Sequence, residues 1–427
     1  MPPRIIAILS RLRQDVAAAI SPKSIGEACE EVGYRWRTRK LGPLETIPLF
    51  LLPVLLENTA CQHIVRIAGR AFTDTAYCEA RKRIPLAVFH KLVEKVAAAA
   101  RGASEDSRWL GHRVWIIDGS SVSMPDTPGL QAHFGQPSGQ RKGCGFPVAK
   151  LLVLFHVGTG MLLRMTTAPL RSHDMSGAGA IAAELEPGDV LLGDRGFCSY
   201  AHLAMLLRRG LEAVFRIHQK QVVDFRPGRP TAVRKGPYPR PQGLPSSRRV
   251  LAHGAEDHVV AWPKPKARPT WMTEVEYAAL PEEILVRELR YRVTTPGYRV
   301  REVTLATTLL DAAAYPASEL AELYYRRWRV EQAFFDSNEF LGLHDPRVWG
   351  ERSVERAHPM GVVCRFTDGP VVQHRGSEGH ARGTAPAVVR EQGHSDVHGH
   401  VGRLAAANVG VRGFRQGWCG GALVRMR

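Results

Sequence analysis

Apolar positions recur at helical spacing through the first hundred residues and in short runs after that. Residues 16–32, 44–56 and 85–100 follow a helical period. Residues 72–85 read as a capped helix, with Thr73 or Asp74 at its start and Pro85 at its end. Near residue 113 the texture changes. The run VWII, residues 114–117, predicts a buried strand leading into Asp118. Residues 120–147, rich in Gly, Pro and Ser, predict a loop. Residues 149–157 and 161–166 flank Gly158, Thr159 and Gly160 as a hairpin. A helix over 174–185, capped by Ser172 or Asp174, a strand over 189–194, a helix over 199–209 and a strand over 211–217 complete this block.

The next hundred residues mix a Pro- and Arg-rich loop, 226–249, with strand-like runs at 258–262, 283–294 and 298–308. Residues 316–340 hold no internal Gly or Pro and predict one long helix, with Pro316 near its start and Gly342 just past its end. After Trp349 the periodicity fails. Residues 356–427 hold no Lys, many Gly, Arg and His, and no apolar stripe of useful length. Such a segment cannot bury a core and is expected to be disordered. Its histidines are too irregularly spaced for a metal site.

Charge sharpens this outline. Lys and Arg number 58 against 41 Asp and Glu, a formal +17, which favours polyanionic partners such as DNA or RNA. Seven scattered cysteines with no CxxC pair argue against a zinc site or a disulfide framework and for a reducing, cytoplasmic setting. The most apolar stretch, 47–56, is too short to span a membrane.

Three acids stand out. Asp118 and Asp194 each follow an apolar strand-like run, and Glu331 lies on the long helix. At about 100° per residue, Tyr324, Arg327 and Glu331 share one helix face. The spacing alone also allows a solvated Glu–Arg face. Three such acids can hold two divalent cations about 4 Å apart for phosphoryl transfer. Asp126, Asp174, Asp189 and Asp336 rank lower: Asp189 reads as a turn residue and Asp174 as a cap, with His173 beside it. Ser120 and Ser121 lack the context of a serine nucleophile.

Tyr324, Arg327, Trp328 and Glu331 resemble the Tyr-Arg-Glu-Lys signature of bacterial insertion-sequence DDE transposases, the group called insertion-sequence family four. WIIDGSS (115–121) and GDRGF (193–197) resemble that family's two aspartate motifs, in the same order. The resemblance covers roughly residues 40–350. Its lysine position is Asn338 here, which carries no charge. The resemblance implies an α/β fold: a ribonuclease-H-like catalytic core with a β-strand insertion, preceded by a helical N-terminal domain. It implies that the first and fourth strands are neighbours. Its domains would be 1–105 (helical, DNA-end binding), 106–218 (first part of the core), 219–312 (β-rich insertion), 313–350 (catalytic helix) and 351–427 (atypical tail).

The resemblance further implies catalysis and metal binding by Asp118, Asp194 and Glu331, with Mg²⁺ or Mn²⁺ as cofactor. Tyr324, Arg327, Arg195, Arg141 and Lys142 would contact DNA. The partners implied are double-stranded DNA, as element inverted-repeat ends and target, and a second copy in a homodimer on DNA. The alternatives are a catalytically impaired remnant that only binds DNA and a generic nuclease of the same fold. Tyr, Arg and Lys aside, Trp262 and Trp271 are read as packing residues before base-stacking ones. The change of texture after Gly342 predicts a shift of reading frame between about residues 343 and 370.

Overall fold

The computed structural model describes residues 14–55, 60–69, 71–124, 126–141, 145–172, 174–231, 243–293 and 301–327. The described residues fall in two units, residues 14–291 with 304–327, and residues 292–293 with 301–303. In the second, Arg292 Nε lies 3.3 Å from Glu302 Oε1. Asp118 and Asp194 belong to the first.

Six helices come first among the described residues: α1 Gln14–Ala19, α2 Pro22–Glu31, α3 Pro43–Leu55, α4 Cys61–Ile67, α5 Asp74–Arg83 and α6 Leu86–Ser104. The single helix expected over 16–32 is broken into two. Ser21 Oγ accepts the Ser24 N–H at 3.2 Å, and Pro22 takes the first helical position, where a missing N–H costs nothing. Gly33, at φ +67°, then lets the Tyr34 N–H turn back onto the Cys29 carbonyl and close α2. Thr73 caps α5 by accepting the Ala76 N–H at 3.2 Å. Leu49, Leu52, Ile64, Tyr77 and Ala80 join α3, α4 and α5 in a small apolar core, and the Tyr77 hydroxyl donates to the Leu49 carbonyl at 3.0 Å.

Nine strands follow among the described residues: β1 Val114–Ser123, β2 Val148–His156, β3 Leu162–Pro169, β4 Val190–Gly193, β5 Glu212–Arg216, β6 Arg248–Gly254, β7 Asp257–Pro263, β8 Glu283–Val293 and β9 Arg301–Thr307. They form one sheet in the order β3-β2-β1-β4-β5-β9-β8-β7-β6. β1, β2 and β3 are antiparallel neighbours, while β4 runs parallel to β1 and β5 parallel to β4. The first five strands thus adopt the 3-2-1-4-5 arrangement of a ribonuclease-H-like core. β9 pairs antiparallel with β5, so the strands of 219–312 extend the same sheet.

Several expectations are corrected. β1 does not end at Asp118 but continues to Ser123, because Asp118 to Ser123 pair with Val153 to Val148 of β2. The loop over 120–147 therefore starts later, and it contains α7, Pro128–Phe134. Thr127 caps that helix, Pro128 starts it and Gly135, at φ +74°, ends it. Residues 174–185 form one 3-10 turn, Asp174–Gly177, and a short α8, Ala178–Ala182, entered from Gly177 without a side-chain cap. The helix of 199–209 is α9, Tyr200–Leu207, capped by Ser199. β6 is exposed along almost its whole length, so alternation never marked it. The five-residue α10, Glu274–Ala278, rests on a capping box between Thr273 and Glu276.

The long helix is described over residues 317–327, here α11. Trp328, Glu331, Asp336, Asn338 and the tail from 351 lie outside the described residues, as do Lys142 and His173. Trp115, Ile117, Leu191, Leu203, Leu206, Ala213 and Phe215 belong to one buried cluster that ties β1, β4 and β5 to α9. Each large side chain in it contributes roughly 1.5–3 kcal/mol by leaving water.

Candidate active site

The pairing of β1 with β4 sets the two aspartates. Val114 pairs with Val190, Trp115 with Leu191 and Ile116 with Leu192. Asp118 and Asp194 each come two residues later, Asp118 within β1 and Asp194 one residue past the end of β4, so they stand at the same level beside strands about 4.8 Å apart. Their faces agree as well. A Cβ built on Gly193 would meet Ile117 Cγ2 at 3.1 Å and the Phe215 ring at 3.0 Å. Gly193 and Ile117 therefore share one face of the sheet, and side chains alternate along a strand. Asp118 lies on the other face, and continuing the alternation one residue past β4 puts Asp194 there with it. By the same count Arg216, next after Phe215 and paired through Gly193↔Phe215, lies level with Asp194.

Asp118 is buried, and its Oδ1 accepts its neighbour's Gly119 N–H at 2.9 Å. Asp194 begins a turn: Oδ1 accepts the Gly196 N–H at 2.7 Å, and its carbonyl accepts the Phe197 N–H at 3.2 Å. This explains both glycines of GDRGF. Gly193 lets β4 pack closely between β1 and β5. At Gly196 a Cβ would sit 3.0 Å from Asp194 Oδ1. The turn is anchored from behind by His202 of α9, whose Nδ1–H donates to the Phe197 carbonyl at 2.9 Å. His202 is fully buried and stacked on Phe215, and burial pushes its imidazole down to about 4. Arg195 turns elsewhere, donating to Gln219 Oε1 at 3.0 Å. Arg141 is exposed in the loop before β2.

Asp189 closes a turn, as expected, its N–H donating to the Glu186 carbonyl at 3.0 Å, and it is also a buried anchor at the opposite end of β4. Its Oδ1 accepts Arg113 Nε at 2.7 Å, and its Oδ2 accepts Trp115 Nε1 at 3.1 Å and the Glu186 N–H at 3.0 Å. Arg113 also reaches Glu186 Oε2 at 2.6 Å. Burial works against the Arg113 charge, but the hydrogen bonds to Glu186 and Asp189 outweigh it and hold the guanidinium above its usual range. Trp262 is buried too, donating to Glu288 Oε1 at 2.8 Å, which makes it a packing residue.

Contacts from three sides fix the start of α11. Arg287 of β8 donates to the Tyr315 carbonyl at 2.7 Å, while its Nε pairs with Asp257 Oδ1 at 2.8 Å. His112 Nε2 and the Tyr315 hydroxyl share a hydrogen bond of 2.7 Å, and Trp109 Nε1 donates to Glu319 Oε2 at 3.4 Å. Leu320, Leu323, Tyr324 and Arg327 are all buried, the i, i+3, i+4, i+7 face of one helix. The Arg327 guanidinium sits over the Tyr324 ring at 5.2 Å. The solvated-face alternative is thus overturned for these two: packing covers both. Tyr291 of β8 lies near them. Burial raises its phenol, the Tyr324 phenol adds to this, and the charges of Arg216 and Arg327 oppose it.

Among the described residues no three His, Cys, Asp or Glu side chains gather where a metal ion could bind. Two carboxylates on one face are nevertheless hard oxygen donors of the kind that Mg²⁺-class cations take. No helix among the described residues is long and apolar enough to cross a membrane.

Residues 109–357, more than half the chain, match the family described as the transposase DDE domain. This chain belongs to that family. The transposase domain so defined begins just before β1 and takes in both aspartates and α11. The chain is similar to the transposase InsG for insertion sequence element IS4 of Escherichia coli strain K12, 22% identical over 324 residues. That match covers 74% of this chain and 66% of InsG. It is also similar to InsZ of the same strain, 29% identical over 140 residues, 32% of this chain and 46% of InsZ. The chain thus spans less than two thirds of either relative. Among solved structures, a piggyBac transposase synaptic complex with hairpin DNA aligns with a TM-score of 0.40 at 10% identity, over 85% of this chain and 73% of that one.

Proposed function

We propose that this chain is a DNA transposase that cuts strands at the ends of a mobile element and joins the freed 3′-hydroxyl to target DNA. The observation that carries the reading is the pair Asp118 and Asp194, level on one sheet face of a chain in the DDE family. Glu331 follows Arg327 by about one helical turn, so a continued α11 would bring a third carboxylate toward that face. Asp118, Asp194 and Glu331 would hold the divalent cations, Mg²⁺ with Mn²⁺ as a substitute, which supply Lewis-acid activation of the attacking oxygen and stabilisation of the leaving one.

The chain's own groups do the rest. Buried Asp118 and the turn-held Asp194 fix the direction of their oxygens before DNA arrives, which lowers the cost of reorganisation. Arg216, level with Asp194, places a positive charge beside the reacting phosphate. Arg141, Lys142 and Arg195 contact the DNA backbone. Tyr324 and Arg327 hold α11 to the sheet and meet the cleaved end only where bound DNA uncovers them. Two copies would act on two element ends, in the cytoplasm.

The test is nicking of a labelled inverted-repeat end with Mg²⁺. Asp194→Asn keeps the shape but loses the charge, so it should abolish nicking and leave end binding nearly intact. An unchanged nicking rate would remove Asp194 from the site. Equal cutting of unrelated DNA would turn the reading into a general nuclease.

A further inference from the structure

Outside the acid face, the helical N-terminal region holds a pair of sulfurs that the chemistry above does not use. Cys61 is the first residue of α4, and Cys78 lies in the middle of α5. Their Sγ atoms are 3.7 Å apart, in van der Waals contact, and both side chains are partly open to solvent. The other described cysteines, Cys29 and Cys198, are buried. Cys61 and Cys78 are 17 positions apart in the chain, so a bond between them closes a loop rather than joining neighbours.

We propose that Cys61 and Cys78 form a reversible disulfide on exposure to a low-molecular-weight disulfide of the glutathione class. The first thiolate attacks the small disulfide, forming a protein mixed disulfide and releasing one small thiolate. The second cysteine's thiolate then attacks the mixed-disulfide sulfur on the protein, forming the Cys61–Cys78 bond and releasing the second small thiolate. The protein loses two protons and two electrons; the small disulfide gains both and becomes two thiols. Closing the contact needs about 1.7 Å of sulfur movement, within reach of a side-chain rotation at each end.

The bond acts on a basic helix end. Arg81 Nη1 points at Cys61 Sγ at 3.6 Å, and its guanidinium lies over the rings of Phe50 at 4.6 Å and Tyr77 at 5.6 Å. The bond engages the same Cys61 sulfur that Arg81 contacts. Arg81, Lys82 and Arg83 make up the last turn of α5. The bond therefore locks α4 to α5 and resets the cation beside it, a redox-dependent change on a positively charged surface.

The experiment is to equilibrate the full chain with oxidised glutathione, block free thiols by alkylation, digest without reduction and map the cysteine peptides by mass. A peptide pair joined through Cys61 and Cys78, returned to two free thiols by dithiothreitol, is the expected result. Cys78→Ser should leave Cys61 as a glutathione adduct with no joined peptide. Both cysteines alkylated, or both carrying glutathione separately in the wild-type chain, would overturn the proposal. Because the wild type gives the deciding peptide, the result does not depend on how the variant folds, nor on whether the chain nicks DNA.

Discussion

His202 offers a sharp quantitative test, because it is buried, neutral and attached to the turn that carries Asp194. An ordinary histidine titrates at 6.5, and burial takes this one to about 4. The folded state thus favours the neutral ring. Its contribution to stability is fully present above pH 6.5 and is lost as pH falls from 6.5 toward 4, where the folded form also takes up the proton. At pH 5 those two values predict a loss of about 2 kcal/mol relative to pH 7.5, or about 30-fold in an opening equilibrium. Peptide-level hydrogen exchange over residues 197–207, corrected for the intrinsic pH dependence, reads this directly. His202→Gln does not titrate, and its amide can still donate to the Phe197 carbonyl. The wild-type segment should lose about 30-fold more protection than the variant between pH 7.5 and 5. Equal losses in the two proteins would show that His202 is not held neutral by the fold.

Asp189→Ala strands the Arg113 guanidinium and the Trp115 indole together, and should cost about 2–4 kcal/mol, seen as a lower thermal midpoint; a change under about 0.5 kcal/mol would mean that Glu186 alone satisfies Arg113. Gly193→Ala puts a methyl 3.0 Å from the Phe215 ring and 3.1 Å from Ile117, so nicking should fall while far-UV circular dichroism stays native; unimpaired nicking would show that β4 has room to shift without moving Asp194. Arg327→Ala removes a buried guanidinium from the Tyr324 ring and should speed hydrogen exchange over 317–327 by an amount equal to about 1–3 kcal/mol; unchanged exchange would leave DNA contact as its only role. For the tail, translating the gene in the other two forward frames beyond codon 342 should give a long amphipathic helix in one of them; early stop codons in both would make the present tail the native one.

The core was readable from sequence because its strands are buried on both faces. VWII and the run before Asp194 are continuous apolar stretches with turn residues beside them, and both become neighbouring parallel strands. Where a strand mixes polar residues, the reading stopped early: Gly119, Ser120 and Ser121 look like a loop, yet β2 supplies their backbone partners. β6 was invisible because an exposed edge strand needs no apolar alternation. The two aspartates were legible through their motifs, but their common face needed the register. Asp189 and His202 were missed for a shared reason. Asp189 meets Arg113, 76 residues away, and His202 meets the Phe197 carbonyl where α9 folds back on the turn before it, so neither partner shows in the apolar pattern of the sequence.

The Arg113–Asp189 pair has a geometric corollary for how this site can change. Arg113 precedes Asp118 by the same number of residues as Asp189 precedes Asp194, so the ion pair and the two acids are opposite ends of one ruler laid along two strands. Clamping one end sets the count at the other. Deleting or inserting a single residue within 114–117 or 190–193 would turn one carboxylate to the far side of the sheet, because side chains alternate with every step. The separation of the two acids is therefore digital: it is kept whole or lost whole, and selection acting on these strands can trade apolar side chains freely but cannot alter their length.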